Sequence, residues 1–176
     1  MDKLFIVDLM PFLYRGHFVF LRNPRRTASG INTSALLGLV NGLVSIINHE
    51  KPTHVVLAMD PGGPTFRHKA YEGYKAQRKA MPEELALQMP VLKEVLDKMG
   101  IRRYELEGYE ADDILGTASR ICESAGWNCT IVTGDKDSLQ LISEKTTVCN
   151  VKTRMGQTET VLYTPERFRE EYGFAP

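Results

Sequence analysis

The sequence predicts an α/β protein: a mostly parallel central sheet with helices on both faces. Three observations carry that reading. Leu4-Phe5-Ile6-Val7, Val55-Val56-Leu57-Ala58-Met59 and Cys129-Thr130-Ile131-Val132-Thr133 are short apolar runs, the pattern of strands buried on both faces. Longer stretches with apolar residues at helical spacing lie between them. Strand and helix patterns alternate along the chain, as βα units do. The 176 residues suit one domain with a sizeable core, taken as 1–176.

The elements follow in order. The first strand ends at Asp8, and residues 9–22 mix aromatics with Arg15 and Arg22 in a helical stretch. Asn23 to Asn32, with Pro24, Arg25, Arg26, Ser29 and Gly30, reads as an exposed basic loop. Asn32 or Thr33 caps a helix to about Glu50, with Leu36, Leu37, Val40, Leu43, Val44 and Ile47 on one face. The second strand ends at Asp60, and Pro61-Gly62-Gly63-Pro64 breaks the chain. Phe66 to Lys79 has no core-facing period. Pro82-Glu83-Glu84 opens a helix running through Leu92, Val95, Leu96 and Met99 to Gly100. Ile101 to Leu106 suits a strand. Gly108-Tyr109-Glu110-Ala111-Asp112-Asp113 starts the next helix, with Ile114, Leu115, Ala118 and Ile121 at helical spacing, ending near Gly126. The strand from Cys129 leads into Gly134-Asp135-Lys136-Asp137 and a short helix. Val148–Val151 and Thr160–Leu162, parted by a turn at Met155-Gly156-Gln157, suggest an edge strand or hairpin. Thr164-Pro165-Glu166 opens a last helix, ending at Tyr172-Gly173.

Composition excludes some classes. The formal net charge is zero, so any surface for a polyanion must be local. Three cysteines without a C-x-x-C pair fit neither a disulfide framework nor a zinc site. No apolar run approaches the ~20 residues of a membrane span, and the N-terminus lacks a signal-peptide layout. A cytoplasmic protein with reduced thiols is expected. Dinucleotide, P-loop and esterase-elbow motifs are absent. Met10, two residues past Asp8, weighs against an aspartyl-nucleophile phosphatase.

The acids suggest chemistry. Ligands of parallel sheets bind outside the carboxyl ends of the strands, and Asp8, Asp60, Asp135 and the Glu110 cluster each follow a strand. Acids in a first helical turn have a plain explanation, since the helix dipole favours each by roughly 0.3–1 kcal/mol. Asp8 and Asp60 are not explained that way. Asp8, Asp60, Glu110, Asp112, Asp113, Asp135 and Asp137 would share one edge of the sheet, where mutual repulsion calls for cations. Oxygen ligands without histidine or cysteine favour Mg²⁺ or Mn²⁺. Two such ions, about 4 Å apart, suit a phosphoryl displacement. Arg67, Lys69, Lys75, Arg78 and Lys79 supply phosphate-holding cations, and Tyr71 and Tyr74 supply surfaces for bases or sugars. Such a stretch is ordinarily just a solvated charged segment; beside an acidic metal site it becomes the expected complement. His68 is a further candidate phosphate contact beside Arg67.

These motifs carry a resemblance. Phe5-Ile6-Val7-Asp8, Tyr14-Arg15, Met59-Asp60, Pro64-Thr65-Phe66-Arg67-His68, Tyr74-Lys75-Ala76-Gln77-Arg78, Gly108–Asp113 and Thr133-Gly134-Asp135-Lys136-Asp137 occur in order over nearly the whole chain. With them the sequence resembles the flap-endonuclease family, in its branch of 5′ nuclease domains of bacterial polymerases. The resemblance implies a PIN-like fold with a helical arch or flexible basic segment. It implies a monomeric, Mg²⁺-dependent 5′-3′ exonuclease or flap endonuclease acting on DNA 5′ ends, flaps or RNA primers. It places up to two ions on the seven acids, gives Lys75 and Arg78 catalytic roles at the scissile phosphate, and puts Tyr14, Arg15 and Arg67 near DNA. An attached polymerase and a place at the nucleoid are implied too. Leu9 stands where the family usually has glycine. The family's second acidic motif and helix–hairpin–helix part have no counterpart before Pro176. That leaves an impaired DNA- or metal-binding fragment as the alternative, and a PIN-type ribonuclease as a weaker one.

Overall fold

The apolar run near the start of the chain becomes the strand around which the sheet is built. The structure, a computed structural model, describes residues 2–154 and 157–176. The strands are β1 (Lys3–Asp8), β2 (His54–Met59), β3 (Arg102–Glu105), β4 (Asn128–Thr133), β5 (Thr146–Arg154) and β6 (Gln157–Tyr163). They lie in the order β3-β2-β1-β4-β5-β6. All neighbours are parallel except β5 and β6, which form an antiparallel pair at one edge. The residues expected to turn this hairpin, Met155 and Gly156, lie outside the described residues.

The helices are α1 (Leu9–Val19), α2 (Ser34–Glu50), α3 (Phe66–Ala70), α4 (Glu83–Ala86), α5 (Met89–Lys98), α6 (Ala111–Ala125) and α7 (Pro165–Tyr172), with a 3₁₀ turn at Lys136–Leu141. They divide between the two faces because side chains alternate along a strand. Phe5, Val7, Leu57, Met59 and Val132 meet α1, α2, α4 and α5 through Phe12, Leu13, Leu39, Leu43, Leu85, Leu92 and Leu96. Ile6, Ala58, Ile131 and Val148 meet α6, the 3₁₀ turn and α7 through Leu115, Cys122, Leu139 and Phe168. No helix among the described residues is long and apolar enough to cross a membrane.

Two expectations are corrected. The helix opened by Pro82 is two helices, α4 and α5. Pro90 has no N–H and its ring disfavours a helical carbonyl four residues back, so the run breaks before it. Gln88, in the break, is buried. It donates to the Glu84 carbonyl at 2.9 Å and accepts the Ala35 N–H at 3.0 Å, so it satisfies a free donor at the start of α2. The buried face of α2 also differs. Its buried residues are Ser34, Ala35, Leu39 and Leu43; of the expected face Leu43 is buried and Leu36 packs against the core, while Leu37, Val44 and Ile47 are exposed. The helix is apolar nearly all round, so periodicity could not choose a face. Contact with α1 chooses it: a Cβ on Gly38 would lie 2.8 Å from the Gly16 Cα, and the two helices cross at that glycine pair.

Strand order positions the site. From β1 the chain moves to β2 and then β3 on one side, and β4 and β5 lie on the other. Connections that diverge from a central strand leave a crevice at its carboxyl end. Asp8 closes β1 at that point.

Candidate metal centre

Four carboxylates line one cleft of about 310 Å³ at the carboxyl ends of the strands: Asp8, Asp60, Asp112 and Asp135. Tyr14, Lys75 and Arg78 line it too. Each acid is placed by a different element. Asp8 is the last residue of β1 and is 6% exposed. Asp60 follows β2 and accepts the Ala111 N–H at 2.7 Å, tying it to the start of α6. Asp112 is in the first turn of α6. Asp135 caps the 3₁₀ turn, its Oδ1 accepting the Asp137 N–H at 2.9 Å.

Burial and like charge act on this group together. Burial pushes the Asp8 carboxyl up to about 7, against a hydrogen bond from Thr133 that lowers it; Asp112 and Asp60 add to the rise. Asp112 is raised as well, by burial first and then by Asp135 and Asp60. Both shifts mark a site short of positive charge.

The other three acids are placed differently. Glu110, Asp113 and Asp137 line a neighbouring cavity of about 1010 Å³, which Asp112 shares with the first cleft. Gly108, at φ +83°, turns the chain just before α6. Glu110 then precedes the helix, its N–H donating to Asp113 Oδ2 at 2.9 Å. The Glu110 side chain is buried and held by cations. Lys75 Nζ donates to its Oε1 at 2.8 Å, Tyr74 OH to its Oε2 at 2.9 Å, and Arg67 approaches at 3.4 Å. Burial works to raise its carboxyl, but the bonds from Lys75 and Tyr74 outweigh burial and leave it below the usual range. Asp113 takes a two-pronged pair from Arg67, 2.8 Å on each oxygen, and this guanidinium holds it low.

The basic segment therefore lies across the acids. Only its first five residues, α3, are helical, and hydrogen-bonded turns at Tyr74, Ala76 and Arg78 follow. Lys75 sits at φ +53°, a costly conformation for a residue with a Cβ. Of the candidate DNA-contacting residues, Tyr14, Lys75 and Arg78 reach the first cleft, and Arg67 and Tyr74 reach the second cavity. Tyr71 is exposed. The His68 ring is engaged with Thr65 at the start of α3, Nδ1 lying 2.9 Å from the hydroxyl. Arg15 stacks over Phe12 at 4.7 Å and lines a different cavity, over the other face of the sheet. Two contributors were not foreseen as parts of the site. The Ala111 N–H binds Asp60, and the Thr133 hydroxyl donates to Asp8 Oδ2 at 2.9 Å.

The donor set fits a hard divalent cation, being carboxylate oxygen without histidine or thiol. Among the described residues, no three acidic, histidine or cysteine side chains close around a point as a finished metal cage.

Known proteins resemble this chain in sequence and in fold. Residues 3–173 match the family described as the 5′-3′ exonuclease, N-terminal resolvase-like domain. DNA polymerase I of Bacillus subtilis is 43% identical over 99% of this chain, and that of Bacillus caldotenax 42% over 99%. The chain spans 19% of the length of each. T5 5′-exonuclease, solved with zinc ions bound, superposes with a TM-score of 0.70 at 19% identity, over 98% of this chain and 61% of that one. The catalytic core of Rad2, in complex with a DNA substrate, gives 0.56 at 17% identity, over 99% and 51%. By its sequence match and its sheet, the chain belongs to the family of 5′-3′ exonuclease N-terminal, resolvase-like domains.

Proposed function

We propose that this chain is a Mg²⁺-dependent 5′-3′ exonuclease and flap endonuclease, with Mn²⁺ able to substitute. It hydrolyses DNA phosphodiester bonds at 5′ ends and flaps, and removes RNA primers, as the nuclease portion of a cytoplasmic, nucleoid-bound DNA polymerase. The observation that carries the reading is the cleft shared by four carboxylates and two cations, Lys75 and Arg78. Family membership and the metal-bound and DNA-bound neighbours support it.

Asp8, Asp60, Asp112 and Asp135 would hold one ion. Asp112 and Asp137, with Glu110 and Asp113 beside them, would hold a second in the adjoining cavity. A bound ion supplies an acidified water and charge neutralisation at the phosphate. The remaining work falls to side chains. Lys75 and Arg78 bind the phosphate next to the cleft, and Tyr74 and Tyr71 offer rings to unstacked bases. Lys75 must give up Glu110 to do so, since its ammonium is engaged there. Arg67 acts from a fixed position, because Asp113 holds both of its terminal nitrogens. A monomer suffices, as every group named comes from one chain.

Cleavage of a 5′-flap DNA in Mg²⁺, Mn²⁺ and EDTA tests the proposal, with Asp135→Asn as control. Cleavage is expected with either metal and not in EDTA, and the variant should lose roughly 100-fold or more. Salt-sensitive binding without metal-dependent turnover would instead identify a binding module. An unaffected Asp135→Asn rate would overturn the site.

A further inference from the structure

Thr133 ends β4 with no exposed surface. The register that pairs Val7 with Val132 sets it beside Asp8 on the neighbouring strand. Its hydroxyl has two partners. It accepts the Asp135 N–H at 3.0 Å and lies 2.9 Å from Asp8 Oδ2. A hydroxyl has one proton, and a backbone N–H can only donate, so that proton goes to Asp8. One side chain thus joins two acids that are far apart in sequence. It ties one oxygen of Asp8 and fixes the backbone from which Asp135 projects. One oxygen of Asp135 is also occupied, by the Asp137 N–H at 2.9 Å. The Asp8 carboxylate takes a further bond from the Met10 backbone, and the second oxygen of Asp135 is not engaged in these bonds. Behind Thr133, the buried Asn150 is its register partner on β5 and donates to its carbonyl at 3.5 Å.

We propose that Thr133 is a positioning residue: its hydroxyl fixes the Asp8 carboxylate and the backbone that carries Asp135, so that both carboxylates face the same divalent cation. The inference rests on the metal-centre reading above. Groups that orient metal ligands from behind typically contribute 10–100-fold to affinity. Thr133→Val keeps the shape and the β-branched fit to a strand but removes the hydrogen bonds. Thr133→Ser keeps the hydroxyl and loses only a methyl.

Titration calorimetry with MnCl₂, run on the wild type and on Thr133→Val, Thr133→Ser and Asp135→Asn, tests it. Mn²⁺-dependence of flap cleavage on the same proteins provides the kinetic split. Thr133→Val should bind Mn²⁺ about 10-fold or more weakly. It should need correspondingly more metal for half-maximal cleavage, with kcat at saturating Mn²⁺ within a few-fold of wild type. Thr133→Ser should behave as wild type. If the valine variant fails to fold, Thr133→Ala serves for the same comparison. A folded hydroxyl-free variant with unchanged Mn²⁺ affinity would overturn the proposal, as would a serine variant as weak as valine. The controls separate the two readings. Normal binding by Thr133→Val with lost binding by Asp135→Asn removes only the role of Thr133. Normal binding by Asp135→Asn removes the metal site and the inference with it.

Discussion

Asp8 lies 6% exposed between Asp60 and Asp112, and its carboxyl titrates near 7. An aspartate in an unfolded chain titrates near 3.9. The folded state therefore holds this proton more tightly, and the stability it contributes is present at low pH and lost as pH rises from about 4 through about 7. In EDTA at pH 8, Asp8→Asn should stabilise the protein by about 2–4 kcal/mol, the scale of a shift near three units. At pH 4 the gain should vanish. Denaturant melts at the two pH values check this. That an acid closes the first strand is plain in the sequence. That Thr133 supports it is not, because their contact joins positions 125 residues apart. Arg67 shows the opposite error of emphasis. A cation in a basic stretch suggests DNA, yet the fold commits this one to Asp113, a tertiary ion pair that local sequence does not reveal.

Among the elements, α1 and α2 cross where Gly16 meets Gly38, and a Cβ on Gly38 would stand 2.8 Å from a backbone atom. Gly38→Ala gains up to about 1 kcal/mol of helix propensity, but the backbones must separate. Overpacking of this kind costs about 1–3 kcal/mol, so net destabilisation is expected. Gly116 in α6 provides the contrast: its added Cβ would sit 3.6 Å from a Leu141 methyl, an ordinary contact. Gly116→Ala should be neutral or stabilising. Melting temperatures of the two variants check both statements. Strands were the more legible elements, since β1, β2 and β4 are continuous apolar runs bounded by acids or glycine. Helix faces were less so. Ile121 fits the apolar spacing of α6 but is 63% exposed, while Ser119 is buried. The helix turns its small and polar Ser119 inward because it packs closely on the sheet, and periodicity alone does not report that.

At the scale of the whole molecule, strand order gathers the chemistry. The crevice at the end of β1 receives Asp8 directly, Asp60 from β2, Asp112 from the helix after β3 and Asp135 from β4. The rule that parallel sheets bind ligands at this edge made the gathering predictable from sequence. The division of the acids was not. Glu110 and Asp113 are engaged by Lys75, Tyr74 and Arg67, and that depends on where the basic segment lies, which no local pattern encodes. The proposed function stands on the shared cleft binding a cation. Anomalous diffraction from crystals soaked in MnCl₂ tests it most directly. A manganese peak between the carboxylates of Asp8, Asp60, Asp112 and Asp135 is the expected result. Manganese bound elsewhere on the protein, with that cleft empty at millimolar metal, would contradict it.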